Sequence, residues 1–543
     1  MKTGFTFVLV LLLATFQSSA QFRNVVIDSG DFIFDAAGID EPSIAIDPKN
    51  THNLIAGSNI DNYYKSIDGG LTWALSTISS TLGVTGDPVL ICDTSGGFYY
   101  FHLALDRRYM TGYQGFNKIV SQYLAPPLTG TWTDGTFAGL VDTPKTDDKP
   151  GVGIDRNTNT LLLCWTKFDE YQYLADSTPG DSSYIMFAKS VDGAPWTTAV
   201  RINQNSGNCS DNDQTAEGAI PCAGPDGQIY VGWAYNNAII FDRSFDGGVH
   251  WLDTDKVAAT MPNGWDYDIP GISRCNGLPF TACDVSHGVH RGTIYISWSD
   301  QRNGANNTDI WIIKSTDSGA SWSAPLRVND DTVVAQQFMS SMTVDQATGY
   351  IYVLFYDRRN YVGTATPDVT DVYLATSTDG GATFQNHKIS EHPFLPINTF
   401  FFGDYTFVAA HNNVIRPIWA EQSFNGLGVT KKIVVGIIDS TILSTPVINA
   451  NNTAIAEMQI IPNPTDGNGL ISVTLAVETP LDITVTDASG RVIKKVVDNQ
   501  QSRPGTYSFA INEFTGVLQP GIYFVHTRTK NQSLTQKLIF TGH

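Results

Sequence analysis

The sequence predicts an all-β protein: a β-propeller of seven blades, with six as the alternative count, followed by a small C-terminal β-sandwich. Three observations carry this. A turn motif of eight residues recurs between positions 66 and 384. Short strands of alternating apolar and polar residues flank each copy, four to a repeat and with no helical periodicity. A polar stretch after Ser440 then separates the repeats from a last segment of alternating strands broken by Gly and Asn-Pro turns.

The chain of 543 residues begins with Lys2, an apolar run from Phe5 to Phe16, and Ser18-Ser19-Ala20 ahead of Gln21. A positive start, a short apolar core and a small-residue cleavage site predict a signal peptide over 1–20. The run is short for a membrane anchor, and no later stretch approaches the roughly 20 apolar residues of a spanning helix. The mature protein is expected to be secreted, or attached to the outer-membrane surface.

The motif stands as Ser66-Ile-Asp-Gly-Gly-Leu-Thr-Trp73, Ser244-Phe-Asp-Gly-Gly-Val-His-Trp251, Ser315-Thr-Asp-Ser-Gly-Ala-Ser-Trp322 and Ser377-Thr-Asp-Gly-Gly-Ala-Thr-Phe384, with a worn copy at Ser190-Val-Asp-Gly-Ala-Pro-Trp196. Its chemistry is that of a turn: the carboxylate accepts backbone N–H groups, glycines supply positive φ, and the aromatic seals the loop. Asp68, Asp192, Asp246, Asp317 and Asp379 are therefore read as structural staples. A catalytic centre needs one special residue set, not the same one in every repeat.

Around the motif, Gly292–Asp300 and Asp309–Lys314 alternate as strands, and the same order returns at Gly349–Asp357 and Asp371–Ala375. Such units are propeller blades. Unit starts fall at Glu41-Pro42, Asp87-Pro88, Lys149-Pro150, Glu217-Gly218, Leu278-Pro279, Gln337-Phe338 and Gly403-Asp404. A degenerate blade is expected around Thr129–Thr133. The last unit, Gly403 to Asp439, is one strand short, and Asn24–Ile27 is expected to complete it, which would remove exposed edges. The predicted domains are a propeller over 21–440, a linker over 441–456 and a β-sandwich over 457–543.

Formal net charge is −20, yet the segment from Glu457 onward holds seven basic and seven acidic residues. The acidic excess thus belongs to the propeller, which excludes nucleic acid as a natural partner and disfavours anionic polysaccharide unless a local basic pocket intervenes. The six cysteines are Cys92, Cys164, Cys209, Cys222, Cys275 and Cys283. In an exported chain, the short separations suggest Cys209–Cys222 and Cys275–Cys283 as loop disulfides; free buried thiols are the alternative for Cys92 and Cys164. The ten histidines show no metal spacing. His287 and His290 sit in a loop read as solvated or, alternatively, as binding. No cofactor motif is evident, although a structural or channel-bound cation such as calcium is compatible with the acidity.

The motif is the Asp-box signature, and the region from about 25 to 440 resembles the sialidase-like (BNR repeat) superfamily. The C-terminal segment resembles the type A sorting domain that takes Bacteroidetes proteins through the type IX secretion system. Ile461-Pro-Asn-Pro464, Asp487-Ala-Ser-Gly-Arg491 and Pro520-Gly-Ile-Tyr523 carry that second resemblance. It implies the type IX machinery as a partner. The first resemblance implies three arginines clamping a substrate carboxylate, a tyrosine nucleophile with a glutamate, and an aspartate acid/base. The family's first arginine stands in Arg-Ile-Pro; the matching place here is Asp40-Glu41-Pro42, acid in place of base.

Similar blade-start positions carry Asp87, Asp148 and Glu217. With Glu41, these acids are expected either to converge at one channel mouth as ligand-binding groups or to bond neighbouring N–H groups. A mouth of this kind suits a cation, an amine or a neutral sugar. Arg302 and Arg358 or Arg359, following Asp300 and Asp357, are expected to form salt bridges between blades. Alternatively Arg302, Arg358, Asp404 and Tyr405 are catalytic candidates of a carbohydrate site. Trp265, Tyr267 and Phe400 to Phe402 are expected to stack on sugars or to pack between blades. The function expected is a monomeric surface propeller binding glycan or protein at its mouth. The alternative is a glycoside hydrolase or lyase on the same scaffold.

Overall fold

The alternating repeats fold one sheet at a time. The computed structural model describes residues 22–34, 38–105, 116–142, 144–171, 181–439, 455–461, 463–475, 477–488, 490–530 and 533–542. The predicted signal peptide, and all but the last two residues of the predicted linker, lie outside the described residues. The chain divides into two compact units, Met1–Ser444 and Thr445–His543.

Among the described residues the first unit holds seven four-stranded antiparallel sheets. Six use four consecutive strands, beginning with Ser43–Ile46, Val89–Cys92, Thr146–Asp155, Glu217–Ala223, Phe280–Cys283 and Gln337–Val344. The seventh joins Phe407–His411, Val414–Phe424 and Val429–Asp439 to Arg23–Phe32 from the other end of the chain. Arg23 pairs with Ile437 and Phe32 with Val429, so the early strand covers what would be an open edge. The first strand of each sheet packs against the first strand of the next, and Phe407–His411 packs against Ser43–Ile46. The sheets close a ring with these inner strands around its axis. Large aromatics on second strands fill the spaces between sheets: Trp165, Trp233, Trp298 and Trp419 are fully buried. Three of their indole N–H groups find carboxylates, Asp147, Asp300 and Glu421, at 2.8–2.9 Å.

Each full Asp box repeats one hydrogen-bond set. In the first, the Ser66 hydroxyl donates to Asp68 at 2.8 Å and accepts the Gly70 N–H at 2.9 Å, while Asp68 accepts the Thr72 N–H at 3.0 Å. The Trp73 indole then donates to the Gly70 carbonyl at 2.8 Å. Asp246, Asp317 and Asp379 bind in the same way. The worn copy departs from the pattern. Asp192 takes a left-handed backbone (φ 50°), and the Ser190 hydroxyl turns to the Ala194 carbonyl instead of to the carboxylate. Asp192 is thus a turn residue without the staple expected of it, because Pro195 and the lost glycine remove the N–H groups it would bind.

The boxes also join neighbours. Lys189 donates to Gly247 O at 2.6 Å, Lys314 to Gly380 O at 2.8 Å and Arg416 to Gly69 O at 2.7 Å, and Arg243 donates to Ser318 O. Each cation lies one sheet before the box it grips. An aromatic accompanies two of these latches: Phe187 meets Trp251, and Phe241 meets Trp322, with ring centroids 5.0 Å apart in each case.

All six cysteines are free thiols, against the disulfides expected at Cys209–Cys222 and Cys275–Cys283. Sequence proximity misleads here because Cys222 and Cys283 belong to inner strands of adjacent sheets and line the channel wall, apart from the loops holding Cys209 and Cys275.

The second unit holds a three-stranded sheet, Ile455–Ile461, Leu470–Leu475 and Gly505–Ala510. Its four-stranded sheet runs Val492–Ser502, Thr479–Asp487, Gly521–Arg528, Ser533–Phe540. Ile471, Val473, Ile483, Val485, Val525 and Leu538 form the core between them. The three motifs noted in the sequence are structural. Asn463 latches the last strand by accepting the Ile539 N–H at 2.8 Å, Asp487 pairs with Arg491 at 3.0 Å, and the Tyr523 hydroxyl closes onto Gln519 O at 2.8 Å.

Candidate ligand-binding site at the inner-strand mouth

Every inner strand starts at the same end of the ring, and at or near the start of five of them one residue adopts a left-handed backbone. Glu41, Asp87, Lys149 and Met339 have φ of 47–53°, and Gly218 has φ of 76°. Left-handed conformation costs a residue with a Cβ roughly 1–2 kcal/mol, and such strain gathers where a site needs side chains re-aimed. Register shifts at Asp148/Gly151, Glu217/Ile220 and Phe338/Ser341 add bulges at the same level. Asp87, Lys149, Gly218, Leu278, Met339 and Tyr405 consequently line one recess of about 80 Å³.

The four blade-start acids come close to one another at this end: Asp87 lines the recess, while Glu41, Asp148 and Glu217 are buried. Asn59 ties the first two, donating to Glu41 and accepting the Asp87 N–H at 2.8 Å, and Glu41 also accepts the Asp404 N–H at 3.2 Å. Burial, with Asp87 and Asp404 nearby, pushes the Glu41 carboxyl well above the usual range, and it shares a hydrogen bond with Asp87. Burial and then Asp87 push Asp148 up to about 7, and burial and then Asp211 raise Glu217 well above its usual range. Glu217 hydrogen bonds to Asp211, which also accepts the Tyr171 hydroxyl at 2.9 Å. The mouth thus gathers buried carboxyls whose desolvation and mutual proximity favour the protonated form.

Among the described residues two cations enter this cluster, and both bind Asp404. Lys149 donates to Asp404 Oδ2; Arg274 straddles the same carboxylate, with Nε 2.9 Å from Oδ1 and Nη2 on Oδ2. Burial alone would raise Asp404, but Lys149 and Arg274 hold it well below the carboxylate range. Arg274 is further anchored by Asp211 at 3.6 Å and lies over the Phe401 ring at 5.3 Å. Asn276 donates to Asp404 O at 2.9 Å.

The catalytic candidates separate. Asp404 and Tyr405 stand in the mouth, but burial, Asp87 and Glu41 push the Tyr405 phenol well above its usual range, the reverse of an activated nucleophile. Arg302 is committed to Asp300 at 2.6 Å and to Thr260 O at 3.1 Å. Arg358 is buried against Thr370, Pro270 O and Asp368. Arg359 closes on Asp357 of its own strand and reaches Asp330, so the Asp–Arg pairs are mainly local rather than links between blades. Trp265, Tyr267 and Phe402 are buried, which removes them as sugar platforms. Among the described residues no group of three or more His, Cys, Asp or Glu is arranged to hold a metal ion.

Sequence reasoning passed over Lys149, Asp211, Arg274 and Tyr171. Lys149 had a signal, the same residue-Pro step as Glu41-Pro42 and Asp87-Pro88. Asp211 and Arg274 come from connections between sheets and Tyr171 from a connection within one, where no period marks them.

Residues 459–541 match a family model described as a secretion system C-terminal sorting domain. The C-terminal unit therefore carries a sorting signal for secretion or surface attachment. No helix among the described residues is long and apolar enough to cross a membrane. Among solved structures, the chain is similar to the Hadza microbial sialidase Hz136, at 13% identity and TM-score 0.39, over 70% of this chain and 73% of that one. It is similar to Trypanosoma rangeli sialidase in complex with sialic acid, at 13% and 0.39, over 89% and 87%. A mutant of NanB sialidase from Streptococcus pneumoniae gives 9% and 0.40, over 72% and 84%. Values this low transfer no substrate and no residue role to this chain. A search of curated proteins finds no match.

Proposed function

We propose that the protein is an exported propeller that binds a glycan or protein ligand at its acid-lined mouth, through neutral hydroxyl or amine groups rather than through carboxylates. One observation supports this above the rest: Lys149 and Arg274, the two cations among the described residues of the mouth, both close on Asp404. Among the described residues a ligand carboxylate would find both of these cations already paired, beside carboxyls that offer it no counter-charge. An amine or a sugar hydroxyl finds acceptors instead. The test is a binding titration of the full chain against neutral and amino-sugar oligosaccharides beside a sialylated one. Binding of the first two, weakened in Glu41→Gln, supports the reading; preference for the sialylated glycan overturns it.

Glycoside cleavage is the second reading. It is favoured by Asp148, a buried carboxyl near 7 and hence a usable proton donor at neutral pH. Release of a fluorogenic sugar, abolished in Asp148→Asn, would replace the binding reading with this one.

A further inference from the structure

The ring has a second mouth. Inner strands run from the acidic end to their hairpins, so those turns collect at the opposite end. The Asp boxes collect there too, because third strands run parallel to first ones. Five of these hairpins open on an aspartate that caps its own turn. Asp47, Asp93, Asp155, Asp284 and Asp345 accept the N–H groups of Lys49, Ser95, Asn157, Ser286 and Ala347 at 2.7–2.9 Å. Asp345 additionally accepts the Asn412 and Asn413 N–H groups, and Asp93 the Gly97 N–H. Four of the five are buried and Asp155 is half-buried; each has at least one oxygen engaged by backbone N–H, while side chains bind Asp47 Oδ2 and Asp155 Oδ2 and, among the described residues, Asp284 Oδ2 has no partner.

The turns leave a different chemistry facing the opening. Lys49, Arg156, His287, Arg291 and His411 surround a cavity of about 310 Å³, and Asp155 is the acid among its described lining. The arginines are held by carbonyls rather than carboxylates. Arg156 Nη1 donates to Cys92 O at 3.4 Å, and Arg291 Nη1 donates to Ser286 O at 2.9 Å and to Val285 O. A carbonyl orients a guanidinium without neutralising it, and the remaining donors of each fork stay available. His287 and Arg291 are exposed, so the opening reaches solvent.

We propose that this hairpin-side cavity is an oxyanion site that takes a sulfate or phosphate group, free or carried on a sugar. Two arginines and a lysine converging from three different sheets match an anion that accepts on several sides. The volume lies at the lower end of small-molecule sites, roughly 300–1,000 Å³, enough for one sugar ring with its ester. In a chain of formal charge −20, a cation cluster left without carboxylate partners would otherwise be neutralised at low cost. The site shares no residue with the acidic mouth and does not depend on its reading.

Calorimetric titration of the full chain at fixed ionic strength tests it, with inorganic sulfate, inorganic phosphate, glucose 6-sulfate and glucose as probes. Saturable binding of an inorganic anion assigns the free ion; binding of glucose 6-sulfate alone assigns the sugar-borne ester; either outcome supports the site. Arg291→Gln and Lys49→Gln, both at exposed positions that leave the fold intact, should each weaken binding by roughly tenfold, and the more buried Arg156→Gln by more. No saturable binding, equal binding of glucose, or binding untouched by Arg291→Gln and Lys49→Gln overturns the proposal.

Discussion

Carboxylates in this protein are held in two opposite ways. The Asp317 carboxylate is held at about 2 by the Ser321 hydroxyl and N–H, so it strengthens the fold above its unfolded value near 3.8 and loses that contribution only as pH falls toward 2. Asp148 has the contrary sign. Its folded value, about 7, exceeds its unfolded 3.8, so the protonated form is favoured in the fold, and this contribution is lost as pH rises from about 4 through 7. Asp148→Asn should therefore flatten stability across that window. Thermal melts at pH 5 and pH 8 check it: the wild type should lose more of its Tm between them than the variant does, and equal losses would contradict the assignment. The box aspartates were legible in the sequence because a turn is local, and spacing alone places Ser66, Asp68 and Thr72 on one another. The pairing of Lys149 and Arg274 on Asp404 was not, because it joins residues 255 and 130 positions apart through loops without a repeat.

At the scale of the element, the glycine at the fifth position of a box can do more than permit a turn. Gly319 has φ of 78°, and a Cβ there would stand 2.2 Å from the Phe241 ring of the preceding sheet. The position holds the turn and the seam between sheets together, with the Arg243 latch onto Ser318 O beside it. Gly319→Ala should cost about 1–3 kcal/mol, from backbone strain plus overpacking. Urea unfolding measures it, and an unchanged midpoint would remove the seam from the account. Strand existence and order were readable from alternation, since period-two patterning with turn residues at either end reports a half-buried sheet. The latches were not, since Lys189, Lys314 and Arg416 look like ordinary surface cations until a neighbouring sheet brings a box carbonyl to them. The disulfide expectation failed for a related reason: closeness in sequence was mistaken for closeness in a fold whose neighbours are whole sheets.

For the first unit as a whole, closure depends on one strand. Arg23–Phe32 pairs along Val429–Asp439, and Asn24 also exchanges hydrogen bonds with Glu391 at 2.7 and 2.8 Å, tying the chain's start to the sixth sheet. A chain lacking residues 22–34 should melt lower and associate through the bared edge, seen as larger species in size-exclusion chromatography; a monomer of unchanged Tm would contradict closure by that strand. The missing strand of the last repeat was visible in the sequence as a deficit, which is why the early strand could be assigned to it. Its real length, from Arg23 to Phe32, was not, because the polar residues beyond Ile27 break the alternation while the register shift after Val26 accommodates them. The functional account rests on the mouth of that ring, where the two cations are occupied. Asp404→Asn frees Lys149 and Arg274 without removing either, so one glycan array comparing it with the wild type is the most direct test. The account predicts that the wild type binds neutral or amine-bearing glycans and ignores sialylated ones, and that the variant gains the sialylated set. A wild type that already prefers sialylated glycans, and loses them in the variant, would contradict it.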